Sequence, residues 1–199
     1  MTAPLATIDS SEKREEHRRF LNRYYGLYRH VYDLTRKYYL FGRDGVLDEL
    51  AVERWSSLLE VGAGTGRNLR KLHARRPDAR LGAVDASDVM LEHARARCPF
   101  AAFAHGFAES ADLSGLLGAR PDRILFSYSL SMIEEQDAAL ENARSALAPG
   151  GEVVAIDFGD LAGMWRPVRA GLERFLAGYH VRPLDEALFK RHGATPRFG

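Results

Sequence analysis

Cysteine is almost missing from this sequence. Cys98 is the only one in 199 residues, so no disulfide can close within the chain and a thiolate-rich zinc site has no ligands to draw on. The seven histidines, at 17, 30, 73, 93, 105, 180 and 192, lack close pairing with Cys or acid, and no metal is expected. Long apolar runs are lacking too. No stretch approaches the roughly 20 apolar residues that cross a bilayer, and the first 16 residues turn polar without an apolar core, which argues against a secretory signal. Neither sign of charge is in excess: 28 Lys and Arg face 27 Asp and Glu, spread along most of the chain, so nucleic acid is not an expected partner. What is present, 46% apolar and 28% charged residues, describes an ordinary globular protein of the reducing cytoplasm.

Apolar and aromatic residues at Phe20, Tyr24, Leu27, Val31, Leu34 and Tyr38 recur at three-and-four spacing, which predicts helix over residues 11–42. A loop is expected at 42–45, and the pattern then changes. Short apolar runs at 58–61, 80–85, 101–105, 123–127 and 153–158 read as strands, separated by helical stretches after Gly66, after the N-cap candidate Ser87, and over 134–147. The Pro149-Gly150-Gly151 turn ends the last of these. Strands alternating with helices imply crossover units and a mostly parallel sheet covered on both faces, an α/β Rossmann-like fold. Residues 1–45 form a helical cap in this reading and 46–199 the ligand-binding domain. Beyond 161, Val168, Leu172, Phe175 and Leu176 suggest one more helix.

In such a sheet, ligands bind at the carboxyl ends of the strands. Gly62, Gly64 and Gly66 fall directly after the first strand, where missing side chains permit a tight turn and close approach of a ligand. A dinucleotide site requires G-x-G-x-x-G. Here the run Glu60-x-Gly62-x-Gly64-x-Gly66 is one residue shorter, and Asp85, 19 residues beyond Gly66, ends the second strand where a carboxylate can accept both hydroxyls of a ribose.

This arrangement resembles motif I of the class I methyltransferases, whose turn accommodates S-adenosylmethionine. The resemblance implies a cofactor-binding set of Glu60, Gly62, Ala63, Gly64, Thr65, Gly66, Asn68, Asp85, Ala86, Met90, Phe107 and Ser127. Phe107 stands where many members place an acid, which favours ring stacking over hydrogen bonding to the adenine. Residues 127–130, Ser-Tyr-Ser-Leu, match the wall beside the transferred methyl. The stretches 32–44 (Tyr-Asp-Leu-Thr-Arg-Lys-Tyr-Tyr-Leu-Phe-Gly-Arg-Asp), 62–68, 127–133 and 157–160 (Asp-Phe-Gly-Asp) further resemble the bacterial betaine-lipid methyltransferases, relatives of the phosphatidylethanolamine N-methyltransferases. That likeness implies three methyl transfers to the amine of diacylglycerylhomoserine. The family continues into antiparallel closing strands, whereas this sequence ends within a few residues of Gly193.

Between residues 1 and 43 there are nine Lys or Arg against five acids, interleaved with aromatic rings. A helix of that kind can lie among anionic lipid headgroups at the inner membrane face; packed on the domain instead, its rings would be core contacts over the cofactor. Tyr32, Tyr39 and Tyr128 are the candidates for proton relay and for holding a methylammonium by cation–π attraction, with packing as their alternative role. Arg36 and Arg43 are candidates for a cofactor or lipid carboxylate. Two other readings stay open: a phosphatidylethanolamine, quinone-type or soluble acceptor, and a methyltransferase-like binding module without catalysis.

Overall fold

The structure, a computed structural model, describes residues 42–157 together with 170, 174, 184 and 186–193. Its elements run α1 (Arg43–Val52), β1 (Ser57–Val61), α2 (Arg67–Arg75), β2 (Arg80–Asp85), α3 (Asp88–Arg97), β3 (Ala102–His105), β4 (Arg123–Ser127), a 3-10 turn (Leu130–Met132), α4 (Gln136–Ala146), β5 (Glu152–Ile156) and α5 (Glu186–Arg191). The five strands form one sheet in the order β3-β2-β1-β4-β5, and every pairing is parallel. The expected alternation of strand and helix is therefore present, with strand ends within a residue or two of the sequence reading. The helix expected over 11–42, the last residue of the strand expected at 153–158, and most of the helix suggested beyond 161 lie outside the described residues.

β1 is the middle strand, and all five of its residues are buried. A strand covered on both faces has no solvent side to mark with polar residues, which is why Ser57-Leu-Leu-Glu-Val61 reads as a continuous run. Its side chains still alternate. Leu59 and Val61 join Ile124, Phe126, Leu140 and Ala143 on the face covered by α4 and by Leu188 of α5. Leu58 joins Leu81, Ala83, Leu125, Leu69 and Leu72 on the face covered by α1 and α2. Below the sheet, Asp122 ties β4 to β1 by accepting the backbone N–H groups of Ser56 at 2.7 Å and Ser57 at 3.0 Å.

The loop expected at 42–45 is a helix start. Gly42, with φ of 77°, caps α1, and Leu47 and Leu50 are both 1% exposed. Two glycines three residues apart suggested a break, but the helix has tertiary partners that a local reading does not see. Asp44 pairs with Arg67 at 2.9 Å and Lys71 at 2.7 Å, and Asp48 pairs with Arg75, all on α2. Just beyond α1, Trp55 donates its Nε1–H to Leu50 O at 2.7 Å and lies under the Arg76 guanidinium, 4.1 Å from the ring centre.

Candidate active site

β1 and β4 are neighbours, yet the sheet grows from them in opposite directions, β1 toward β2 and β4 toward β5. The loops leaving their carboxyl ends therefore part, and a crevice opens between them. The glycine turn follows β1, Asp85 ends β2 and Ser127 ends β4, all at these carboxyl ends.

Gly62, Gly64 and Gly66 have φ of 80°, 53° and 74°. This left-handed region strains any residue with a Cβ. At two positions the space is closed as well: a Cβ on Gly62 would lie 2.4 Å from Ser129 Cβ, and one on Gly66 2.7 Å from Cys98 Sγ. The turn is thus clamped between the loop after β4 and the end of α3. Cys98, fully buried, donates its thiol hydrogen to Gly66 O at 3.3 Å, and burial holds the thiol above its ordinary pKa.

Asp85, 9% exposed, ends β2 and bridges two loops. Its Oδ2 accepts the Gly64 N–H at 2.9 Å and its Oδ1 the Ser87 N–H at 2.8 Å. The expected N-cap is also present, Ser87 Oγ accepting the Met90 N–H at 3.3 Å.

Glu60 is 1% exposed, and Asn68 Nδ2 donates to its Oε1 at 2.7 Å. Burial pushes its carboxyl up to about 8, opposed by the Asn68 hydrogen bond and the Arg43 charge and reinforced by the Asp85 charge. Glu60 Oε2 and Asn68 Oδ1 are both buried and have no hydrogen-bond partner among the described residues. A cationic, proton-donating group would supply both oxygens and favour the ionised form of Glu60.

Tyr128, buried and directly after β4, is the only non-glycine among the described residues with a positive φ, 56°. Such a backbone costs on the order of 1–3 kcal/mol, and its N–H bond to Ile156 O at 2.7 Å helps to hold it. Ser127 is 7% exposed. Thr65 and Ala63 are buried within the glycine turn. Phe107 is half-buried and meets His105 edge-on, while His105 Nε2 lies 3.1 Å from Ala86 O, so these three residues share the end of β3. Met90 is wholly buried on α3. Arg43 opens α1 on the Glu60 side. Tyr32, Tyr39 and Arg36 lie outside the described residues.

Ser131 and Asp157 were not singled out as site residues in the sequence, and Ser129 only as part of the wall of residues 127–130. Ser129 Oγ donates to Val61 O at 2.6 Å, and Asp157 Oδ2 accepts the Ser131 N–H at 2.9 Å. Their place just past the ends of β4 and β5 is the one signal that could have found them.

Residues 59–153 match the family model described as a methyltransferase domain. The sheet and its helices have the Rossmann-like fold of the class I methyltransferases. The trans-aconitate 2-methyltransferase of Paracidovorax citrulli is 34% identical over 105 residues, 53% of this chain and 39% of that protein. That of Methylobacterium radiotolerans is 36% identical over 103 residues, 51% and 37% of the two chains. The chain thus spans less than two fifths of the length of these curated relatives. Among solved structures, the methyltransferase domain is similar to CalS10 of Micromonospora echinaspora, an amino pentose methyltransferase with S-adenosylmethionine bound: 26% identity, TM-score 0.55, 66% of this chain and 56% of that one. DesVI of Streptomyces venezuelae is also 26% identical, with a TM-score of 0.54 over 68% of this chain and 59% of that one. These findings narrow the resemblance read from the sequence to the class I methyltransferases, since these relatives bear names other than betaine-lipid enzymes.

Proposed function

We propose that this protein is an S-adenosylmethionine-dependent N-methyltransferase acting on an amine, and that the amine belongs to a lipid headgroup of the diacylglycerylhomoserine type. The observation that carries the cofactor half is the pair of buried carboxylates, Glu60 and Asp85, on either side of a glycine turn that no larger residue can occupy. Asp85 would accept the ribose hydroxyls, held in place by the Gly64 and Ser87 N–H groups. Glu60 Oε2 and Asn68 Oδ1 would accept from the cofactor's α-ammonium. Phe107 would stack on the adenine, and Ser127 and Tyr128 would wall the methyl.

When bound, S-adenosylmethionine supplies an electrophilic methyl: the acceptor's lone pair forms the new bond, the S–CH3 bond breaks with its electron pair going to sulfur, and the acceptor's proton passes to water. Little covalent help is needed, so the residues contribute position and exclusion of water. Tyr32 and Tyr39, in a cap formed by residues 1–45, would enclose the amine together with Tyr128, and Arg36 and Arg43 would meet a carboxylate of cofactor or lipid. That cap, basic and aromatic in sequence, would bring the enzyme to the inner membrane face. Among the described residues no helix is long and apolar enough to cross a membrane.

The amine acceptor draws support from CalS10, described as an amino pentose methyltransferase. The lipid draws its support from the sequence resemblance of residues 32–44, 62–68, 127–133 and 157–160 alone. A second reading, methylation of an unsaturated tricarboxylate, is favoured by the trans-aconitate 2-methyltransferases among the relatives. Incubation with methyl-labelled S-adenosylmethionine and either a bacterial lipid extract or trans-aconitate separates them. Label in a chloroform-soluble quaternary headgroup is expected; label in a methyl ester of trans-aconitate would replace the lipid reading.

A further inference from the structure

Glu60 and Asn68 meet with too few protons between them. Asn68 Nδ2 donates to Glu60 Oε1 at 2.7 Å, while Glu60 Oε2 and Asn68 Oδ1 are buried without a hydrogen-bond partner among the described residues. Exposure is 1% for Glu60 and 6% for Asn68, so bulk solvent does not supply what is missing. Buried acceptors in that state are rare, and two on a bonded pair share one remedy. A proton on Oε2 makes the carboxyl a donor, and the amide oxygen of the same Asn68 is an acceptor that lacks one. A carboxylic acid and a primary amide are matched to exchange two hydrogen bonds, whereas a carboxylate and an amide can form one.

The surroundings do not impose the ionised form instead. In the sheet, Glu60 pairs with Ala83 of β2 and Leu125 of β4, neither of which titrates. The charges that act on it are Arg43 from α1, which favours ionisation, and Asp85 from the end of β2, which opposes it. The Cys98 thiol, at the end of α3, feels the Glu60 charge in turn and is held by burial above its own ordinary range. With one cation set against one anion, burial decides, and it lifts the Glu60 carboxyl to about 8. Asp85 lies close by in the same site and differs in its supply of donors, since backbone N–H groups of Gly64 and Ser87 reach its two oxygens.

We propose that Glu60 and Asn68 form a proton-exchanging receptor for the cofactor's α-ammonium: the pair holds one proton in the free protein and releases it as the ammonium docks, so that cofactor affinity rises with pH through neutrality. The proposal rests on the S-adenosylmethionine-dependent reading above and adds a control on that site. In the exchange the Glu60 O–H bond breaks, its electron pair stays on the carboxylate, and the proton passes to water. Ammonium N–H groups then donate to Glu60 Oε2 and Asn68 Oδ1, a charge-assisted arrangement that replaces the acid–amide pair.

The test compares two ligands by calorimetry on the full chain. S-adenosylhomocysteine carries the α-ammonium, and 5′-methylthioadenosine is the same thionucleoside without the amino-acid end. Titrations at pH 6.5 in buffers of different ionisation enthalpy count the protons released. About one proton per S-adenosylhomocysteine is expected, with affinity rising roughly tenfold per pH unit from 6 toward 8. Methylthioadenosine should release none and bind equally across that range, which also cancels any titration near the adenine, such as that of His105. Glu60→Gln should abolish the proton release with S-adenosylhomocysteine and flatten its pH profile. Wild type that binds S-adenosylhomocysteine without proton release and with equal affinity at pH 6 and pH 8 overturns the proposal, with no variant needed. Equal proton release with methylthioadenosine, or undiminished release in Glu60→Gln, overturns it too. If S-adenosylhomocysteine binds at no pH, the cofactor reading itself fails, an outcome distinct from the others.

Discussion

Glu60 sits where an acid is costly. Its carboxyl is fully buried with one hydrogen bond from Asn68, and it titrates at about 8 in the fold against 4.5 for the free group. Between those values the native protein keeps a proton that the unfolded chain gives up, so stability is fully present below about pH 4.5 and is lost as the pH rises toward 8. Urea denaturation of ligand-free protein at pH 5 and pH 8 should show wild type losing stability relative to Glu60→Gln across that span, by about 1.4 kcal/mol per pH unit at most. Parallel behaviour of the two proteins would mean that the carboxyl is solvated. Asp85 makes the opposite case, an acid already supplied with backbone donors at Gly64 and Ser87. Asp85→Ala should weaken S-adenosylhomocysteine binding at least tenfold by calorimetry, since two charge-assisted contacts go at once. Gly66→Ala should destabilise the fold by on the order of 2–4 kcal/mol, from its left-handed φ and the Cys98 contact together. Adding Cys98→Ala should recover part of that loss in thermal denaturation, because it relieves the contact and leaves the backbone strain.

The elements were read from sequence with unequal success, and the reason differs for each. α3 announces its start locally: Ser87 caps Met90, and a Ser87→Ala protein should lose about 1 kcal/mol in chemical denaturation. β2 and β4 announce themselves by apolar runs bounded by turns, and their observed limits are those read from the sequence. α1 does not. Its glycines at 42 and 45 argue locally against helix, and it exists because Leu47 and Leu50 fill the face beside α2 while Asp44 and Asp48 meet the arginines and lysine of that helix. Surface pairs of this kind contribute little each. Apolar burial by the two leucines therefore outweighs them in holding the helix.

At the scale of the whole molecule, the two faces of the sheet are closed by different parts of the chain, α1 and α2 on one and α4 with α5 on the other, leaving the strand ends for ligands. Residues 1–45, proposed as a membrane-seeking cap, would act at this scale. Flotation with anionic vesicles should carry the full chain upward and leave a chain starting at Gly42, where α1 begins, in the soluble fraction; equal partition of the two would make the cap a plain lid. The sequence alone determined the strand and helix alternation, the glycine turn and the acid at 85, because each is written in a few adjacent residues or in a period of two or three to four. Only the tertiary structure decided that Cys98 presses on Gly66, that Ser129 closes on Gly62, and that Asp157 meets Ser131. Those partners lie 26 to 67 residues apart, and only the parallel register of the sheet, with the crossovers that return each strand's end to the same edge, brings them together.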